Sequence, residues 1–463
     1  MGRPVRRGQG PRVPGIAARV KAAMPGSHNI TKQTGASKMS STRGAFFPDA
    51  LMQQVKARFH HVDHDLDGRA RLFFDNAGGS FRLKAAVDAY ARIDALPDCP
   101  ERIHERALDL QAIQSRGEDD VRTILNAQGG TVYASLTASG AMFDMVRAIM
   151  ENVPGTNAVT TVLEHPSSYD AMTYYAERTG KTLRIAPSNP ETGGVDVDAI
   201  VSLIDADTAL LSVMFASNIS GAKFDIEAIV ARARQKKPGL FIVVDAVQHA
   251  PHGIIDLQRT PVDGINFAPY KFFGCRGSGI SWLSPRAAAL PHHRLAAKES
   301  GVWELGSPAP AQFAVVTSIV DYVKWIGRYF VDSDDRRTLF VEGMHRIELH
   351  ERALLAALLD GCGGRRGLRS IDGVEVYWDH DDLTKRDLIV GIGFAHLEPT
   401  QAVREYEKHG VIVYERVASS LYSGRMLKSF RLAGAVRISP LHCHAPDDIA
   451  RFLAITGTLA ANR

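Results

Sequence analysis

The chain has 463 residues, of which 45% are hydrophobic and 23% charged, with a formal charge of +4 and four cysteines. That balance excludes disordered and fibrous classes, and no uninterrupted apolar run approaches the roughly 18–20 residues of a membrane span. Cys99, Cys275, Cys362 and Cys443 are scattered with no CxxC pair, which argues against a disulfide framework and a zinc site and fits a reducing, cytoplasmic setting.

Residues 1–45 form a basic leader. Its first 44 positions carry nine Lys and Arg and no Asp or Glu, so the remainder of the chain is slightly acidic. The leader lacks an amphipathic run, and a disordered tail or an early start is a simpler reading than organellar import. Without interleaved aromatics it offers nucleic acid only non-specific contact, and no nucleic-acid or membrane partner is expected. The stretch "HHVDHDLD" at 60–67 reads as a solvated linker rather than a metal site, because adjacent side chains diverge and no spaced ligands complete a set.

From residue 71 to about 283, short apolar runs alternate with amphipathic stretches. The runs are "RLFF" 71–74, "TVYAS" 131–135, "AVTTVL" 158–163, "TLRIA" 182–186, "ALLSVMFA" 209–216, "LFIVVD" 240–245, "GINFA" 264–268 and "GISWL" 279–283. Helical segments are predicted at 139–152, 167–178 and 225–236. Strands that alternate with helices and read apolar on both faces predict an α/β domain whose mostly parallel sheet lies between helix layers. After Pro308 two long helices, "AQFAVVTSIVDYVKWIGRYF" and 335–360, precede short strands at 374–378, 388–395 and 435–439 and a final helix from Asp447. The predicted organisation is a large domain over 46–310 and a smaller α+β domain over 311–463.

Ligands of open α/β sheets gather beyond the carboxyl ends of the strands. Asp245 closes "LFIVVD", Lys271 follows "GINFA" by three residues, His165 follows "AVTTVLE" and Asn218 follows "ALLSVMFAS". A carboxylate ending a buried strand needs a cationic partner. Lys271 can be that partner in a structural ion pair, or both can serve a shared cofactor. Pyridoxal phosphate suits the set, since it needs a lysine for a Schiff base, an acid for its ring nitrogen and an anion cradle. Thr137, at the start of "TASGAMFDMV", is either a plain N-cap or the edge of a phosphate site at a helix N-terminus.

The segment "IVVDAVQHAPHGIIDLQRTPVDGINFAPYKFFGCRGSG" resembles the core of class V aminotransferases, the fold-type I group that also contains cysteine desulfurases, selenocysteine lyases and isopenicillin-epimerase-like enzymes. The likeness runs from "FFDNAGGS" near 73 to "VRISPLHCHAPDDI" near 449. It implies pyridoxal 5'-phosphate as cofactor, a small amino acid as substrate and a homodimer with shared active sites. By the same resemblance Lys271 forms the Schiff base and moves protons at the α-carbon, and Asp245 keeps the ring nitrogen protonated. Gln248 and Asn218 meet the phenolic oxygen, and His165 stacks on the ring. Thr137 binds phosphate with the amides of Ala138 and Ser139, while Gly306-Ser307 stand where relatives reach a phosphate across the dimer. Arg437 grips the substrate carboxylate, with Asn76 beside it. The lysine motif departs from many relatives, which carry serine and histidine where this chain has Ala268 and Tyr270; the Tyr270 hydroxyl can still donate a hydrogen bond.

Desulfurases need a thiolate on a mobile loop shortly before the arginine. Here the matching stretch "VYERVASSLYSGRMLKSFRLAGAV", 413–436, has no cysteine. The expectation is therefore a class V aminotransferase acting through a Schiff base with the substrate amine, with a cysteine- or selenocysteine-lyase-like or epimerase activity as the alternative.

Overall fold

The computed structural model describes residues 42–307 and 309–461, so most of the basic leader lies outside the described residues. The apolar runs form strands because residues buried on both faces need no alternation. In chain order these are β1 (Thr131–Ser135), β2 (Asn157–Thr161), β3 (Thr182–Ala186), β4 (Thr208–Met214), β5 (Phe241–Asp245), β6 (Gly264–Phe267) and β7 (Gly279–Leu283). They make one seven-stranded sheet in the order β1-β7-β6-β5-β4-β2-β3. Strands β3, β2, β4, β5 and β6 run parallel, and β7 is antiparallel to both neighbours. All of β4 is buried, as its run "TALLSVM" requires. The fold is the expected α/β arrangement of a mostly parallel sheet between helices.

The C-terminal strands β8 (Val374–Tyr377), β9 (Val390–Phe394), β10 (Tyr414–Val417) and β11 (Gly434–Ile438) form a separate antiparallel sheet in the order β8-β9-β11-β10. Its core begins at Leu354 and takes in Leu72 and Phe74 from the other end of the chain, because Leu72–Phe73 pairs with Val411–Ile412. The helix Pro310–Arg328 and the first half of Arg336–Asp360 pack instead into the core under the large sheet, through Phe313, Ile319, Val323, Phe340 and Ile347. The expected boundary at 310/311 thus marks the start of a helix rather than a change of core. Apolar burial overrides chain order here: the apolar residues of Pro310–Arg328 and of the first half of Arg336–Asp360 are covered by the large core, while Leu354–Leu359 are covered by the small one.

Where Arg336–Asp360 crosses from one core to the other, its inward residues turn polar. His252 Nδ1 lies 2.7 Å from Glu351 Oε2, and the His442 amide donates to Glu351 Oε1 at 3.0 Å. Tyr322 shares a 2.7 Å hydrogen bond with His442 Nε2, and His350 Nε2 donates to the His444 carbonyl at 2.9 Å. A second pair, His249 Nδ1 to Asp387 Oδ2 at 2.9 Å, lies alongside. Among the described residues no helix is long and apolar enough to cross a membrane.

Candidate active site

A cavity of about 300 Å³ opens at the carboxyl ends of the central strands. Its floor is set by the strand ends: Asp245 is the last residue of β5, and Lys271 ends a short turn, Pro269–Lys271, just beyond β6. Two residues later Phe273 takes a left-handed φ of 64°, a conformation a bulky residue adopts only when its surroundings enforce it. Full burial of its ring and a 2.9 Å hydrogen bond from its amide to Ser80 Oγ do so.

The wall is the N-terminus of the helix Ala138–Asn152. Thr137 caps it by accepting from the Gly140 amide at 3.0 Å, which leaves the earlier amides of Ala138 and Ser139 as donors at the cavity. Gly279, at the start of β7, lies so close that any side chain there would come within 2.2 Å of the Ala138 nitrogen. Glycine is required for strand and helix to meet at the site. Across the opening, His165 caps the helix Pro166–Thr179, accepting from the Ser167 amide at 3.2 Å.

The electrostatics follow from burial. Burial, reinforced by Arg437, lowers the Lys271 amine to about 8, with Asp245 opposing. His165 is pushed down to about 3 by burial and by the nearby Lys271 charge, so its ring is neutral. Asp245 is raised by burial against the Val247 amide at 3.0 Å and the Ser168 hydroxyl at 3.1 Å. No hydrogen bond joins Asp245 to Lys271; they interact only at longer range, so the two are not a simple ion pair. Just behind, Glu164 is raised to about 8 chiefly by burial, with Oε1 held by Thr161 at 2.7 Å.

The cavity brings together Thr137, Ala138, His165 and Asn218 with Asp245, Gln248, Tyr270 and Lys271. Three candidates lie elsewhere. Ser307 lines a neighbouring cavity of about 730 Å³ that shares Leu136 and Thr137 with the first, and its hydroxyl meets Glu101. Arg437 is buried on β11, bound to Asp75 Oδ1 at 2.5 Å and the Asn218 carbonyl at 3.0 Å. Asn76 is consumed by the fold: its amide nitrogen donates to the Phe73 and Ser439 carbonyls, and its oxygen accepts from the Phe81 amide. That leaves its side chain no donor for a substrate carboxylate, in contrast to the expectation.

Several residues at or near the site went unassigned from sequence. Ser168 holds Asp245, and nothing local distinguishes it from a serine in any first helical turn. Asp75 and Arg276 both lie inside quoted motifs, "FFDNAGGS" and "GCRGSG", but their roles depend on chain segments far away. Arg276 lines the cavity and stacks its guanidinium 4.5 Å from the Tyr270 ring.

The side-chain oxygens of Asn218 and Gln248 are buried without partners, an unusual cost in a folded interior unless a ligand meets them. Together with a depressed lysine amine, a buried carboxylate and a helix N-terminus, they suit a phosphorylated aromatic aldehyde. The residues fit pyridoxal phosphate on chemistry alone.

Comparison with known proteins agrees. The family model for class V aminotransferases matches residues 72–331, more than half of the chain, and the protein belongs to this pyridoxal-phosphate-dependent family. It is 24% identical over 359 residues to the cysteine desulfurase of Cronobacter sakazakii, covering 72% of this chain and 81% of that one. With the probable cysteine desulfurase of Streptomyces coelicolor it shares 28% over 333 residues, 65% of this chain and 74% of the relative. The apo structure of a cysteine desulfurase from Thermococcus onnurineus superposes with a TM-score of 0.73 at 19% identity, covering 85% of this chain and 95% of that one. The shared fold is of type I.

Proposed function

We propose that the protein is a pyridoxal-phosphate-dependent lyase that eliminates a sulfur- or selenium-bearing group from Cβ of a small amino acid, without a cysteine nucleophile of its own. The relatives' names support this alternative better than transamination. The observation that carries it is the cavity lining, which among the described residues includes no thiol. Cys99 is exposed, Cys443 is buried, and Cys275 and Cys362 direct their sulfurs at the carbonyls of Ala86 and Pro446. Without a thiolate to accept sulfur, the leaving group departs to solvent.

In this reading Lys271 would hold the cofactor through its amine and would take the proton from Cα of the substrate; an amine lowered to about 8 is near the balance a general base needs. Bound pyridoxal phosphate supplies the electron-withdrawing ring that stabilises charge developing at Cα. Asp245, fixed by Ser168 and the Val247 amide, would hold the ring nitrogen as an anion. Gln248 and Asn218 would meet the phenolic oxygen through their amide nitrogens, and neutral His165 would cover the ring face and keep water off it. Thr137 with the amides of Ala138 and Ser139 holds the phosphate, aided by Tyr270. Arg437 orients the substrate carboxylate. A homodimer accompanies this reading, supported by Leu136, Leu295 and Leu305, which rim the cavity at Ser307 and are all more than half exposed; light scattering of the purified protein at twice the chain mass is the expected result.

The test is product analysis of the holoprotein with L-cysteine. Elimination consumes cysteine and water and yields pyruvate, ammonia and sulfide in equal amounts. Alanine with a sulfur-loaded protein, or conversion of the cofactor to its amine form without sulfide, would sink the proposal.

A further inference from the structure

Three arginines act on the cleft from just outside its lining. Arg425 is committed to the carbonyls of Val162 and Glu164, with its guanidinium 3.6 Å from the Tyr169 ring. Arg437 is committed to Asp75 and the Asn218 carbonyl. Arg416 has no such commitment. It is 7% exposed, its Nε is buried without a partner, and among the described residues its guanidinium forms no hydrogen bond or ion pair. Its nearest aromatic contact is the Tyr414 ring, 5.8 Å away.

The register of the small sheet says where it faces. Tyr414 on β10 lies opposite Arg437 on β11, and Arg416 lies opposite Ala435. Residues directly opposite in an antiparallel pair share a face, as do alternate residues along a strand. Arg416 and Arg437 therefore stand diagonally on one face, flanking Tyr414, whose ring lies 5.6 Å from the Arg437 guanidinium. That is the face turned to the cleft, since Arg437 reaches Asn218 from it. The Arg416 charge also depresses both Lys271 and His165, as expected of a cation looking into the site. Asp75 acts on Arg416 only at longer range and is itself held by Arg437; burying a guanidinium with no hydrogen-bonded counter-charge is costly, and such a group persists where a ligand supplies the anion.

We propose that Arg416 receives a second anionic group on the substrate, so that the chain acts on an amino acid whose side chain ends in a carboxylate or similar anion, leaving the α-carboxylate to Arg437, whose Nε is still without a partner. This substrate class rests on the proposed lyase reading only for the chemistry that follows binding. The anion receptor itself does not depend on it.

The two are separated by experiment. Titration calorimetry of the holoprotein with succinate and with butyrate, which differ by one carboxylate, measures the receptor directly. Succinate is expected to bind at least ~10-fold more tightly, as a charge-assisted bidentate contact implies. Arg416→Gln is expected to reduce that ratio to within ~2-fold, and Arg416→Lys, which keeps a point charge, to retain part of it. Equal binding of the two acids by the unaltered protein, or equal weakening of both in Arg416→Gln, overturns the proposal. In a second arm, S-carboxymethyl-L-cysteine and S-ethyl-L-cysteine are offered as substrates; each elimination consumes water and releases pyruvate, ammonia and the corresponding thiol. The anionic substrate is expected to show a KM ~10-fold lower, an advantage lost in Arg416→Gln. Pyruvate from neither, with the succinate preference intact, removes the lyase reading and leaves the receptor standing.

Discussion

The cleft around Lys271 and the polar seam around Glu351 both bury ionisable groups, yet they treat them in opposite ways. In the seam most charges and ring nitrogens meet a partner inside the chain: His252 and Glu351 at 2.7 Å, His249 and Asp387 at 2.9 Å, Tyr322 and His442 at 2.7 Å. In the cleft the Asn218 and Gln248 oxygens, and beside it the Arg416 and Arg437 Nε atoms, are buried and unmatched. Closed networks stabilise one arrangement; open ones wait for a ligand. The contrast separates structure from function without reference to any relative.

Breaking the cleft should remove chemistry and spare the fold. Lys271→Ala is expected to lower turnover by about 10⁴-fold, since it deletes the base and the covalent anchor together. Its melting temperature should not fall, because a buried amine without a hydrogen-bonded partner is lost; a drop of several degrees would contradict that view. Breaking the seam should do the reverse. Glu351→Ala is expected to cost about 3–5 kcal/mol in urea unfolding, the penalty for orphaning a buried partner, with turnover per folded molecule unchanged.

The seam also dictates a response to acid. His350 and His444 are held near 4 and His442 is lowered, all mainly by burial. Their folded pKa values lie below the unfolded value of about 6.5, so the unfolded chain binds more protons in between and stability falls as pH drops from about 6.5 towards 4. Glu351, drawn down to about 2 by its histidine partners despite its burial, adds to the loss from its ordinary range near 4.5 downwards. His252 is raised, and its contribution has the opposite sign: present below about 6.5 and lost as pH rises through its folded value. Urea midpoints measured from pH 4 to 8 should peak near neutrality, and the acid limb should shallow in His350→Gln.

Smaller effects sharpen the boundary between the regions. Asp245→Asn is expected to lower turnover by about 10²-fold while pyridoxal phosphate still binds, since an amide cannot hold a ring proton as an anion does. Glu164, raised to about 8, is a neutral acid at physiological pH. Glu164→Gln should therefore shift stability by less than ~1 kcal/mol, and a large loss would show that the carboxyl is charged in the fold.

Strand positions, the α/β class and the strand-end residues Lys271, Asp245, His165 and Asn218 could be read from the chain because each rests on local information, an apolar run of strand length with a polar residue at or just beyond its end, whereas Gln248 came from the family resemblance. Their convergence in one cavity follows from parallel strands presenting their carboxyl ends on the same side. Other partnerships had no such local mark. Asn76 spends its amide on Ser439, Ser168 reaches Asp245, and Arg437 finds Asp75 across 362 positions. Pro310–Arg328 and the first half of Arg336–Asp360 join the large core rather than the small one for the same reason. Which of two arginines on β10 and β11 is matched, and which is left facing the cleft, depends on register and packing between distant segments. Those are properties of how elements meet, and no window of sequence contains them.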